Sequence, residues 1–218
     1  RIHRDVSAAD DDDLFACEIG HFAIADAAKE LNGILERVFG TKLPVVAQPT
    51  GGHVSIVLGS NVWSRAAGID TAALPRDAFT ICAKGSRIFV AGRDDATCDL
   101  EKEAVNRGRM LMREHATLFG VYELLERFAG VRFYFPGELG TVVPRRGRIA
   151  VPETDLRVTP AMSGRSVSLG LTWYETDGMS SKGEMSCSPG EVLNWFRLRL
   201  ETDRVPFGHG QNGFNLVG

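Results

Sequence analysis

Long apolar runs are missing from this sequence. None approaches the roughly 18 residues of a membrane-spanning helix, so no helical span is expected. A surplus of basic charge is missing as well. Lysine and arginine number 25 against 28 aspartates and glutamates, a net charge of −3, which is not the footprint of a generic nucleic-acid binder. Cysteine is scarce and scattered: Cys17, Cys82, Cys98 and Cys187 form no Cys-x-x-Cys pair, and no neighbouring histidines complete a zinc pattern. A chain of 218 residues can build its core without disulfides. We read the four as small apolar residues of the interior.

Several chemical motifs are absent too. Gly164-Arg-Ser-Val-Ser lacks the Gly-x-Ser-x-Gly spacing of a hydrolase elbow. Gly51-Gly52 precedes a strand, whereas a dinucleotide loop places its glycines after one, and Gly137-Glu-Leu-Gly140 reads as a turn. No cofactor is therefore expected. Asp10 to Asp13 form an unbroken acidic run. A calcium loop alternates its carboxylates and includes a turn glycine, so this run reads as a solvated loop and no metal is expected. Repeats at solenoid periods are absent. The chain opens at Arg1 with neither methionine nor the apolar core of a signal peptide, read here as a removed leader or a trimmed start.

What is present is ordinary globular material, 44% hydrophobic and 24% charged, enough for a folded core. Ile24, Ala28, Leu31, Leu35 and Val38 recur every three or four residues and predict a helix over 22–39, stopped by Gly40. His53 to Gly59 reads as a strand. Ala78–Ala83 and Arg87–Ala91 read as two more, joined by a hairpin turn at Lys84-Gly85-Ser86. Asp94 to His115 is polar, either an inserted excursion or an early extension of the next helix. Leu118, Val121, Tyr122, Leu125 and Phe128 mark that second amphipathic helix, closed by Gly130. Val131 to Phe135 then reads as a β-branched and aromatic strand. The order implies an α/β layer, a mixed sheet with two helices packed on it, ending near Val151-Pro152. Beyond Pro160, Ser163–Thr172 suggests a strand and Pro189–Leu200 a helix with proline in its first turn. A glycine-rich loop, Pro206 to Asn215, follows.

The stretch from Leu118 to Pro144, with Phe-Ala-Gly-Val-Arg-Phe-Tyr-Phe-Pro-Gly-Glu-Leu-Gly at its centre, is more specific than any of these patterns. It resembles the end of the N-terminal domain that precedes the catalytic barrel in alpha-glucuronidases and beta-hexosaminidases, and most of all the bacterial domain of unknown function 4838. Ala27-Ala-Lys-Glu-Leu with Gly40-Thr-Lys-Leu-Pro44 looks like that domain's first helix and exit. Asp77-Ala-Phe-Thr-Ile and Ile88-Phe-Val-Ala-Gly92 look like its hairpin. The resemblance covers about residues 20 to 160, with Asp95–Glu114 departing as an insertion. It implies a hexosaminidase-like N-terminal domain over 1–155 and the first part of a (β/α)₈ barrel over 156–218. Pro160-Ala-Met-Ser-Gly-Arg165 looks like the barrel's first strand entry, and Trp195-Phe-Arg-Leu-Arg199 like its first helix. A whole barrel needs about 250 residues, and 58 follow Pro160, so the barrel is incomplete here and the chain reads as a fragment.

The function implied is that of an accessory domain of a carbohydrate-active protein. Its parent would be a glycoside hydrolase acting on uronic-acid or N-acetylhexosamine glycans, secreted or periplasmic. Such chemistry needs two carboxylates about 5–10 Å apart. Glu138, Glu175, Asp177, Glu184 and Glu191 stand in no motif that assigns a role, so this chain alone is expected to be inactive. Under the barrel reading, His209 and Asn212 lie in a loop on the catalytic face, where they and Asn215 would hydrogen-bond a sugar. The plainer alternative for His209 is a loop histidine held by a neighbouring carbonyl. Arg165 has the planar fork to bind a sugar carboxylate, or else an ion pair at the strand mouth. Trp173 or Tyr174 would offer a stacking face, while Trp195 belongs with the core. The partners implied are a glycan, reached through the parent, and the rest of the barrel. Two rivals remain: a non-catalytic carbohydrate-binding or surface-associated domain on the same scaffold, and an independent α/β interaction domain with Ser163–Gly218 folded onto it.

Overall fold

The computed structural model describes residues 4–7, 14–17, 22–49, 53–97, 99, 113–162, 164–165 and 189–200. The elements in chain order are strands β1 (Arg4–Ser7) and β2 (Leu14–Cys17), helix α1 (Phe22–Phe39), strands β3 (Val45–Val46) and β4 (Ser55–Leu58), helix α2 (Val62–Ala66), and strands β5 (Phe79–Lys84) and β6 (Arg87–Gly92). Helix α3 (Ala116–Leu124) runs on into one π-helical turn, Leu125–Ala129. Strands β7 (Arg132–Phe133), β8 (Thr141–Val142), β9 (Arg148–Val151) and β10 (Thr154–Val158) follow, then helix α4 (Pro189–Arg197).

Six strands form one mixed sheet in the order β10-β5-β6-β4-β2-β3. Strands β3, β2, β4 and β6 pair in parallel, and β5 and β10 add antiparallel edges. The period of two sorts the side chains. Ile56, Leu58, Ile81, Ala83, Ile88 and Val90 join the main core with α1 and α3. Val57 and Phe89 face the other way, where Trp63, Ala67, Ile69 and Cys82 cover them. Helix α2 is fixed there by a capping box. The Asn61 side chain accepts from Trp63 N and Ser64 N, and Ser64 Oγ accepts from Asn61 N.

Helix α1 forms where periodicity predicts it, burying Ile24, Ala27, Leu31, Ile34, Leu35 and Val38 along one stripe. Helix α3 is different: every residue from Ala116 to Leu124 except Glu123 is buried. A helix apolar on all sides needs cover on all sides. Gly120 lets it lie close on the sheet, since a Cβ there would stand 2.7 Å from Val90 Cγ1 and 3.2 Å from Phe79. Gly130, at φ 77°, ends the π turn in the left-handed conformation that favours glycine.

The fold class expected from the sequence is the one observed, a mixed sheet with two helices packed on one face. Three details differ from the sequence reading. Val131–Phe135 contributes only Arg132–Phe133, paired with β8 in a separate ribbon rather than in the main sheet. The sheet runs past Pro152, because β10 pairs with β5 through Val158 and Phe79. Strand β9 pairs with β1, Ser7 opposite Arg148, which places Val6, Ile149 and Val151 in the main core. The polar excursion closes at its base: Asp94 and His115 form a bridge, and Asp95 N donates to Glu114 O at 2.9 Å. The suggested strand at 163–172 lies outside the described residues, apart from Gly164 and Arg165.

Two glycine substitutions separate space from flexibility. Gly120→Leu forces side-chain atoms into Val90 and Phe79 and is expected to cost about 1–3 kcal/mol or more. Gly33→Ala, on the exposed face of α1 with nothing within 4 Å, is expected to gain roughly 0.5–1 kcal/mol. Urea denaturation of both variants measures the difference.

Candidate functional site

Helix α4 lies against α3, and its docking brings Glu30, Glu123, Glu126, Arg197 and Arg199 together. The apolar anchor is Phe196, buried, with its ring 4.9 Å from His115 edge-on and 6.5 Å from Phe119 in a stacked arrangement. Such aromatic contacts add about 0.5–1.5 kcal/mol beyond area burial. Arg197 follows. Its Nη2 and Nε donate to Glu30 Oε2 of α1 at 3.1 and 3.2 Å, and the guanidinium lies 5.3 Å from the centre of the Phe133 ring. The same Glu30 oxygen accepts from Tyr122 Oη at 3.1 Å. Burial, with Glu30 beside it, holds the Tyr122 phenol well above its ordinary range, so it stays a donor.

Arg199 extends the clamp. Its Nη2 donates to Glu123 at 3.1 Å and pairs with Glu126 at 2.6 Å. Glu123 and Glu126, three residues apart at the start of the π turn, share a face. Leu200 N donates to Trp195 O, and Arg199 N to Phe196 O, both at 2.8 Å. Together these are a Schellman ending for α4, with Arg199 in the left-handed position at φ 55° where glycine is usual. A non-glycine residue there costs about 1–2 kcal/mol. Only one other described non-glycine residue has positive φ: Asp77, at 58°.

Arg165 joins these two residues. Its Nε donates to Arg199 O at 2.9 Å, Nη1 to Met162 O at 2.6 Å, and Nη2 to the buried Asp77 carboxylate at 3.3 Å. The segment leaving β10 is thereby tied both to the loop before β5 and to the end of α4. Strained backbone gathers where function or assembly holds it in place, and both strained residues here are partners of Arg165.

A second polar cluster holds the buried N-terminus of α3. Asp94 accepts from Thr117 N at 2.9 Å and from Thr117 Oγ1 at 2.5 Å, while that hydroxyl accepts from Gly92 N at 3.0 Å. Arg93 and Glu114 pair through two hydrogen bonds at 2.6 and 2.8 Å. Arg113 bonds to Asp95 at 3.3 Å and also to Thr97 Oγ1. Burial pushes the Asp94 carboxyl up to about 7, against the pull of the Thr117 bonds. Burial likewise pushes His115 down to about 4. Asp95, bonded by Thr97, is held below the usual carboxylate range.

The far face of the sheet holds a shallow groove of about 790 Å³ lined by Ile69, Asp70, Thr80, Cys82, Lys84 and Asp155, among others. Among the described residues no group of three His, Cys, Asp or Glu side chains is placed to hold a metal, and no helix is long and apolar enough to cross a membrane.

Of the residues singled out from the sequence, Arg165 has its fork on Asp77 and two carbonyls. His209, Asn212, Asn215, Trp173 and Tyr174 lie outside the described residues. Trp195 packs against the core, as expected. Cys82 is partly buried beside Val57 and Phe89. Sequence reasoning missed Glu30, Asp77, Glu123 and Arg197. Their pairing spans up to 167 residues of chain, and no local pattern announces it.

No family model matches the chain, and no curated protein matches it. Solved structures do. A family GH115 4-O-methyl-α-glucuronidase with specificity for decorated arabinogalactans superposes over 90% of this chain at a TM-score of 0.54 and 15% identity. The GH20 β-N-acetylhexosaminidase of Streptomyces coelicolor A3(2) and a Streptomyces plicatus β-hexosaminidase each superpose over 75% of it, at 14% identity and TM-scores of 0.46 and 0.45. The chain spans 25% of the glucuronidase's length. At this identity the likeness establishes a shared fold, an α/β domain of the kind found in that glycoside hydrolase.

Asp94 and His115 predict opposite pH dependences. The stability Asp94 contributes is present below its unfolded value near 3.9 and is lost as pH rises through about 7. That from neutral His115 is present above about 6.5 and is lost as pH falls through about 4. Between pH 4 and 6.5 the two slopes oppose each other. Asp94→Asn is expected to give a melting temperature that rises with pH across this window, and His115→Gln one that falls. Thermal melts at half-unit intervals check both signs.

Proposed function

We propose that this chain is the N-terminal α/β domain of a carbohydrate-active protein, the kind its residues resemble in the bacterial domain of unknown function 4838. Its task is mechanical. It supports a glycoside hydrolase barrel whose polypeptide follows β10, past Val158, and it supplies none of that barrel's catalytic carboxylates. The parent's substrates would be uronic-acid or N-acetylhexosamine glycans, met outside the cytoplasm in a secreted or periplasmic protein. In this reading His209 and Asn212 are sugar-contacting candidates, and Arg165 ties the segment after β10 to the scaffold.

The observation that carries the reading is the Arg165 junction. One guanidinium holds the departing chain to Asp77 and to the end of α4, whose Arg197 and Arg199 are themselves held by carboxylates of α1 and α3. A scaffold must fix the direction in which the chain leaves, and three arginines on the departing segment accomplish that. The glucuronidase that shares the fold is more than three times as long, which leaves room for a catalytic part elsewhere in such a chain.

The docking of Pro189–Leu200 also supports a second reading, the independent α/β interaction domain with its tail folded onto it. One experiment separates the two. This chain by itself should release no product from 4-methylumbelliferyl N-acetylglucosaminide or from 4-O-methylglucuronic-acid-bearing oligosaccharides. The natural polypeptide that contains it should release product from one of them, and Arg165→Met in that polypeptide should lower both its activity and its melting temperature. A natural polypeptide with no glycosidase activity favours the second reading. Turnover by the chain itself contradicts the scaffold role.

A further inference from the structure

The main sheet ends differently on its two sides. Strand β3 closes one side with two residues, too few to carry a further ladder, whereas β10 closes the other with five. Among the described residues nothing pairs with the outer side of β10. The direction of its backbone groups follows from one hydrogen bond. Thr80 Oγ1 donates to Leu156 O at 3.1 Å, so that carbonyl points at β5. Alternation then turns the N–H and C=O groups of Asp155 and Arg157 to the open side. Side chains alternate too: Leu156 and Val158 pack against the main core, while Asp155 and Arg157 stand exposed on the other face.

An open edge is a template for another strand, and proteins guard such edges with charge and with proline. A charge guards against a second copy only where it meets its like. Here it meets its opposite. Between Pro152 and Pro160 the chain reads Glu-Thr-Asp-Leu-Arg-Val-Thr. Turned end for end about Leu156, this segment meets itself with Asp155 opposite Arg157, Thr154 opposite Val158, and Pro152 opposite Pro160. Both prolines fall on the phase of Leu156, whose N–H faces β5, so neither takes a donor from the open side.

The same charges choose the alignment. Slipping by two residues in either direction sets Asp155 against Asp155 or Arg157 against Arg157, which is unfavourable. Within the chain these two side chains are not neutralised: Arg157 donates to Ala73 O at 3.3 Å, and among the described residues no ion pair joins it or Asp155. A strand from another protein would need this order of charge to fit. A second copy carries it already.

We propose that β10 pairs antiparallel with β10 of a second copy about a two-fold axis at Leu156, joining the two six-stranded sheets into one. Asp155 and Arg157 exchange both backbone hydrogen bonds with their opposites, and their side chains form two symmetric ion pairs. On the other face Leu156 meets Leu156 of the second copy. This pairing is independent of the scaffold reading.

The test uses the natural polypeptide that contains the chain. In this alignment residue 156 meets its own copy as a non-hydrogen-bonded pair with Cα atoms about 4.5 Å apart, within disulfide reach. Residue 154, on the same face, stands four residues from its copy, roughly 14 Å along the strand. Under mild oxidation Leu156→Cys is expected to form a covalent dimer at about tenfold or more the yield of Thr154→Cys or of the unaltered polypeptide. Adding Arg157→Asp should remove that excess, and adding Asp155→Arg as well should restore it, because the swap rebuilds the alignment with charges exchanged. A merely structural loss would not be restored, and a melt confirms that each variant folds. Sedimentation velocity gives a readout free of the new cysteine. The unaltered polypeptide should dimerise as its concentration rises, and Arg157→Asp should stay monomeric. Equal yields at 154 and 156, a dimer that survives Arg157→Asp, or an unaltered polypeptide that stays monomeric at its highest soluble concentration overturns the proposal.

Discussion

Helix α3 is buried on every side but one residue, and that constraint organises most of what surrounds it. A helix in this position can leave no orphaned backbone group and no bare apolar stripe. Its sheet side is met through Gly120, where the backbone must come close to Val90 and Phe79. Its N-terminal amide at Thr117 is met by Asp94, a carboxyl group brought from the end of β6. The base of the excursion, with Arg93, Asp95, Arg113 and Glu114, holds that carboxyl in place. The remaining side, carrying His115, Phe119 and Tyr122, is covered by α1 and by Phe196 of α4. Without α4 this stripe would meet water.

The arginine clamp follows from the same requirement. Phe196 alone would cover His115 and Phe119, but a nine-residue helix is marginal without tertiary support. Arg197 and Arg199 supply it from the outer edge of the contact, where partial exposure lets their charges stay solvated on one side. Hydrogen bonds to charged groups are worth about 1.5–3 kcal/mol each, enough to offset the left-handed backbone at Arg199. Arg165 then ties the segment after β10 to Asp77 and to the end of α4, and the scaffold reading depends on that tie more than on any resemblance.

Much of the sheet and helix layer was legible in the sequence. The stripe in α1, the β5–β6 hairpin with its glycine turn, and the stop at Gly130 all rest on periods and breakers that span a few residues. Strands β1 and β9 were not legible: four residues each, they become strands only because each meets the other across about 140 residues of chain. Val131–Phe135 has strand composition throughout, yet the hydrogen bond from Tyr134 to Gly140 bends it away after two residues. The candidate site was less legible still. Glu30, Asp77 and Glu123 carry no motif, since an ion pair requires only opposite charge and a fold to bring it together. Arg165 drew notice for its fork, and its partners could not be named from the sequence.

The central claim is that α4 belongs to the same cooperative unit as α3, held there by Phe196 and the three arginines. Native-state hydrogen exchange, read by mass spectrometry with increasing denaturant, tests it most directly. The account predicts that the amides of Pro189–Leu200 and of Ala116–Leu124 merge into one opening event with a shared free energy. Rapid exchange of Pro189–Leu200 while Ala116–Leu124 stays protected would contradict it, and with it the proposal that this domain fixes the course of the chain beyond its sheet.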